Sequence, residues 1–223
     1  MTIFEPIVTF VAFYASFVFA ILYLTLEAFP IAFRDRRGWP PFISNLPFVS
    51  LFLGVLVAVL INIANEPRYR RLSDAADGKP VPEGRLLPMG LGGLIFVCGL
   101  FWFGWTTLST FWLSPMIVIV FIGAGFTVIF QQCLNYLVTS YRTYTASAVS
   151  TNTLLRSLLA ASFPLFARPM FNSLGNGPGM NILGAVATLM LPLPLLLMRY
   201  GEPLRAKSMF SARGETVRTN ISA

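Results

Sequence analysis

Six apolar runs of membrane-spanning length, separated by polar or charged gaps, constrain this chain more than any other feature. A bilayer core about 30 Å thick needs roughly 20 helical residues to cross it, and inside it each backbone amide must be satisfied within its own segment. The runs lie at Ile7 to Phe29, Pro47 to Ala64, Leu87 to Leu108, Pro115 to Val138, Ala146 to Ala167 and Met180 to Met198. They predict an all-α membrane protein of six transmembrane helices, with both termini on one side of the bilayer. Residues 1–200 then form the membrane domain, including a polar loop at 66–86, and 201–223 form a basic, disordered cytoplasmic tail. The first run follows Met1 without a basic leader and exceeds the core length of a signal peptide, so it reads as a membrane helix.

Composition narrows the function classes. Of the 223 residues 56% are hydrophobic and 11% are charged, against about 25% charged in soluble domains. The net charge of +7 sits mainly in the gaps between runs, where orientation and anionic headgroups account for it, so no nucleic-acid partner is implied. Histidine is absent. That removes Ser-His and Cys-His catalysis and His-coordinated metals, and leaves proton chemistry to carboxylates. Cys98 and Cys133 both fall inside apolar runs and are expected to be packed thiols. No cofactor, metal site or catalytic residue is predicted, and the chain is not expected to be an enzyme.

The polar residues inside the runs are the candidate site. Arg156 lies in the middle of the fifth run, where a charge costs about 2.5–3.5 kcal/mol and normally faces a bundle interior or a wet cavity. Asn152 precedes it by one turn, and the two share a face with Thr145 and Ala148. Two readings stay open for Arg156: a gating or substrate role, or a bundle residue held by helix-end carbonyls or Asn amides. Gln131 and Asn135 share a face of the fourth run, where Gly123 and Gly125 permit close helix approach. Glu27, near the end of the first run, is either a snorkelling carboxylate or a proton- or cation-binding one at a cavity mouth. The glycines of NSLGNGPGM follow no strand and form a turn, not a phosphate loop.

The basic residues give the orientation. One side holds Arg68, Arg70, Arg71, Lys79, Arg85, Arg142 and the basic tail, while the other holds only Arg34, Arg36, Arg37 and Arg168. By the positive-inside rule both termini are cytoplasmic, and Trp39, Trp102, Trp105 and Trp112 form an outer aromatic belt.

The strings LYLTLEAFP, PEGRL, GLFWFGWT, NYLVTSYRTYTASAVSTNTLLRS and FPLFARPMFNSLG, in this order, resemble the carboxyl-terminal half of fungal major facilitator superfamily transporters. More narrowly, they are similar to the twelve-helix drug:proton antiporter branch that includes multidrug and polyamine exporters. The resemblance implies a six-helix half-bundle equivalent to helices seven to twelve. Its first and fourth spans would line the central cavity and its second and fifth would gate it. Glu27, Gln131 and Asn135 would then lie along the cavity, and Asn152 and Arg156 on a gating helix. Thr139 stands where the family usually has an acidic residue, and Ala160 where glycine is common. The amino-terminal six helices and their motifs are not in the sequence.

The leading expectation is therefore proton-coupled efflux of a small amphipathic or cationic organic molecule or drug, with Glu27 as the proton-coupling carboxylate. Its partners would be the lipid bilayer, the substrate, and either a complementary amino-terminal half or a second copy, since alternating access rocks two bundles about a shared site. The expected location is the plasma membrane. The alternative is a truncated, non-transporting half that associates with another membrane transporter. A six-helix channel is disfavoured, because the chain has neither an Asn-Pro-Ala pair nor a threefold repeat.

Overall fold

The computed structural model describes residues 6–36, 38–40, 42–75, 82–106, 111, 113–140 and 145–206. Of the expected tail at 201–223, residues 207–223 lie outside them and 201–206 continue the last helix; the tyrosine-rich segment 141–144 and Trp112 also lie outside them. Among the described residues the regular structure is helical throughout: α1 Pro6–Pro30, α2 Leu46–Ala75, α3 Leu86–Thr106, α4 Leu113–Ser140, α5 Thr145–Ser162, α6 Pro164–Leu174, α7 Asn176–Met190 and α8 Pro192–Ala206. Short tight turns, Ile43–Asn45 and Pro82–Arg85, lead into α2 and α3.

Proline and glycine set the breaks. Pro30 closes α1, and the chain unwinds into a wide helical turn, Ile31–Arg36, before Gly38 reverses it with φ +66°. The fifth expected span is two helices, because Pro164 has no N–H to continue α5. Gly175, at φ +87°, then separates α6 from α7, a conformation that costs only glycine nothing. The sixth span is broken in the same way at Pro192, and its last helix runs on to Ala206.

Five stretches have the length and apolarity to cross a membrane: Val8–Arg34, Ile43–Ala75, Leu86–Thr106, Leu113–Ser140 and Asn176–Arg199. The fifth arm, α5 with α6, is less apolar because Thr145, Ser147, Ser150, Thr151, Asn152, Thr153 and Arg156 all lie on it. It packs mainly against α1.

At the centre of the bundle α4 is wedged between α2 and α3. Glycine makes this possible on both sides. A Cβ on Gly125 would stand 2.6 Å from the Phe96 amide nitrogen and 2.7 Å from the Gly92 carbonyl oxygen of α3. On the opposite side, a Cβ on Gly54 of α2 would collide with the Val120 carbonyl oxygen and stand 3.0 Å from Gly123 Cα. Pro47, Ser50, Gly54 and Ala58 form the buried stripe of α2, while Phe52, Leu56, Leu60 and Ile63 remain exposed as a lipid-type surface. Small residues at crossings are how helices associate when hydrocarbon surrounds them and no hydrophobic drive separates protein from lipid.

The cysteines differ from each other. Cys133 is buried with its Sγ 3.8 Å from Met89 Sδ, a packed thiol as expected, whereas Cys98 is exposed on α3.

Candidate functional site

Arg156 emerges from the inner face of α5, and what receives it is aromatic. Its guanidinium carbon lies 4.7 Å from the ring centre of Phe19 on α1 and 4.9 Å from that of Phe130 on α4. Phe19 also packs on Tyr23 at 5.0 Å and Phe126 at 5.6 Å, and Phe126 stacks on Phe130 with planes 11° apart. The four rings recur at i and i+4 on their own helices, so each helix presents them as one stripe.

The sequence reading offered carbonyls or Asn amides to hold Arg156; ring faces hold it instead. The reason is tertiary, because only the meeting of α1, α4 and α5 brings Phe19 and Phe130 to the same charge. Two such contacts, each about 0.5–2 kcal/mol, come close to offsetting the insertion cost of a central arginine. Among the described residues the guanidinium has no ion pair, since both salt bridges there belong to Glu66.

Asn152 is 1% exposed, and neither of its amide atoms has a hydrogen-bond partner among the described residues. A buried amide left open costs free energy, so a polar group of this kind is retained where something polar meets it. Glu27 is half-buried on the stripe that carries Phe19 and Tyr23 and makes no ion pair with a described residue. At 1.5 Å per residue it lies about 12 Å along α1 from Phe19. The structure therefore places Glu27 and Arg156 on one wall without pairing them.

Gln131 and Asn135 separate. Gln131 Oε1 accepts a hydrogen bond from Nδ2 of Asn62 on α2, and Gln132 Nε2 donates to Asn62 Oδ1 at 2.6 Å. Asn62 thus clamps α2 to α4, and the Gln131 carbonyl is committed to it. Asn135 is exposed, and its backbone carbonyl accepts the Thr139 hydroxyl at 2.6 Å. Asn62 is a further polar residue of the site, and its signal in the sequence is an amide inside the apolar stretch LVAVLINIA.

Interhelical hydrogen bonds in membranes average about 0.6 kcal/mol and reach about 1.7. Asn62→Ala removes two of them and strands the buried Gln132 amide. The expected result is a loss of about 1–3 kcal/mol in unfolding free energy, with recovery in Asn62→Leu/Gln132→Leu. Unchanged denaturant unfolding of the single variant would show that the clamp carries no weight.

At the end of the bundle where α2 finishes, Glu66 meets Arg70 at 3.5 Å and Arg85 at 3.6 Å, while the Arg85 guanidinium also lies 3.6 Å over the Tyr69 ring. The PEGRL segment is thereby fastened to the end of α2. Trp102 and Trp105 are exposed towards the end of α3, and Trp39 packs on Phe33 at 5.1 Å just beyond α1, all at the opposite end of the bundle.

Comparison with known proteins gives consistent relatives. An uncharacterized transporter of Schizosaccharomyces pombe is 43% identical over 92% of this chain and 36% of its own length. The efflux pump bik6 of Gibberella fujikuroi is 44% identical over 93% of this chain and 43% of its own. The major facilitator superfamily multidrug transporter FLU1 of Candida albicans is 38% identical over 93% of this chain and 34% of its own. The chain thus spans well under half the length of the curated relatives it matches. No family model matches it, and no solved structure does.

Proposed function

We propose that this chain, which is similar over nearly its whole length to fungal transporters including a major facilitator superfamily multidrug transporter, supplies the carboxyl-terminal wall of a secondary transporter exporting a small organic molecule. The observation that carries the reading is Arg156, a cation kept inside the bundle on the ring faces of Phe19 and Phe130 where α1, α4 and α5 meet. A charge there has no role in lipid contact. It suits a path that a polar or aromatic solute enters and leaves.

In this reading Arg156 and Asn152 orient or gate, the Gln131 amide nitrogen and Asn135 offer hydrogen bonds along the path, and Glu27 exchanges the coupling proton. The second wall is a complementary amino-terminal half or a second copy, because rocking of one bundle against another needs both. The working membrane is the plasma membrane, with both termini cytoplasmic.

The test is efflux from cells expressing the chain alone and with a complementary half. Gradient-driven export above that of empty cells is the expected result. No export and no dissipation of the gradient in either arrangement would overturn it, and stable association with an unrelated full-length carrier would favour the non-transporting alternative. That alternative draws on the partial coverage of the relatives.

Coupling has its own test. Glu27→Gln keeps the shape but cannot ionise, so export against a gradient is expected to fall by about tenfold or more, equivalent to about 1.4 kcal/mol, while exchange of labelled for unlabelled substrate continues. Retention of gradient-driven export would remove Glu27 from the coupling step.

A further inference from the structure

Ring faces gathered at one place form the arrangement that captures organic cations. Here the place is taken. The guanidinium of Arg156 already occupies the faces of Phe19 and Phe130, at 4.7 and 4.9 Å. An incoming cation would displace or approach a resident positive charge in a low-dielectric setting, where like charges repel more strongly than in water.

Among the described residues no carboxylate pairs with that charge, and Glu27 lies about 12 Å along α1 from Phe19 by helix geometry. The Phe19 and Phe130 rings are 6.0 Å apart and tilted by 43°, so the guanidinium lies over both from one side. Its N–H groups on the side away from the rings can meet a carboxylate or similar oxygen pair. The adjoining surface is flat: Phe126 and Phe130 are 5.9 Å apart and 11° from parallel, and both are half-buried, not sealed in the core. Tyr23, beside Phe19, is 39% exposed.

We propose that the Phe19–Phe130–Arg156 cluster selects planar aromatic molecules bearing an anionic or strongly accepting oxygen function, and discriminates against organic cations. The inference rests on the transport reading and deepens it by assigning a substrate class to the same wall, narrowing the sequence-based expectation of an amphipathic or cationic substrate. The aromatic part of the ligand lies along Phe126 and Phe130, and its oxygens meet the Arg156 fork.

The experiment measures equilibrium binding of 2-naphthoate, 2-naphthylmethanol and 2-naphthylmethylammonium to the full chain in nanodiscs of zwitterionic lipid. The three share one ring system and differ in charge. The expected order is naphthoate tightest, by about tenfold over the ammonium, or about 1.4 kcal/mol. Arg156→Gln is expected to bring the two ions within about threefold of each other, while Arg156→Lys, which keeps the charge without the planar fork, retains part of the preference.

Phe130→Leu serves as the second variant and is expected to weaken naphthoate without inverting the order. Equal or tighter binding of the ammonium, an unchanged preference in Arg156→Gln, or no saturable binding of any probe would each overturn the proposal. Binding does not require movement. A naphthoate preference in a chain that transports nothing would therefore uphold the selectivity and sink the transport reading, whereas export of the ammonium alone would sink only the selectivity.

Discussion

Replacing Gly125 by leucine is expected to abolish recovery of monodisperse, folded protein from detergent extracts, while Gly90→Leu leaves recovery unchanged. Both glycines lie in apolar helices, and propensity alone would favour leucine at each. Their surroundings differ. A Cβ at Gly125 meets backbone atoms of α3 at 2.6 and 2.7 Å, whereas nothing lies within 4 Å of one at Gly90. Overpacking against movable side chains typically costs about 1–3 kcal/mol. Backbone cannot rotate away, so α3 and α4 must part, and with them the wedge that holds the centre of the bundle. Fluorescence-detected size exclusion reads the result directly; a normal monodisperse peak for Gly125→Leu would show that the α3–α4 crossing is looser than described.

Arg156→Leu is expected to separate stability from activity. A central arginine costs about 2.5–3.5 kcal/mol to insert, and two ring contacts return about 1–4, so the folded bundle gains little from the charge. Thermal unfolding of the leucine variant should therefore match or exceed that of the unaltered chain. Transport, measured with the complementary half present, should fall by about tenfold or more, or about 1.4 kcal/mol in barrier terms. The opposite pattern, a lowered unfolding temperature with transport intact, would make Arg156 a bundle residue and not part of the path.

Much of the architecture was legible in one dimension because hydrocarbon imposes a one-dimensional rule. Each crossing must satisfy its own backbone and present apolar side chains, so run length alone locates the arms. The expected starts of the runs at Leu87 and Pro115 fall within two residues of the observed helices α3 and α4. The breaks were less legible. Pro164 and Pro192 were visible in the sequence, yet apolar content carries across them, and the runs read as continuous where the chain forms paired helices.

The candidate site divides along the same line. Arg156, Asn152, Gln131 and Glu27 stood out because each breaks an apolar pattern. Their partners did not, because Phe19 and Phe130 are ordinary membrane-helix residues, and Asn62 gains meaning only when α2 meets α4. Resemblance suggested that the first and fourth spans line a cavity, but not that their aromatic rings stack on the charge of the fifth.

The sequence by itself determined that the chain crosses a membrane as apolar helices and that a charge sits in its fifth arm, since both follow from the local cost of polar groups in hydrocarbon. Only the tertiary structure decided how that charge is held, over the rings of Phe19 and Phe130 and without an ion pair among the described residues. It also decided that Gln131 is already engaged by Asn62. Cation–π and interhelical amide contacts join residues far apart in the chain, and no periodicity within a single helix records them.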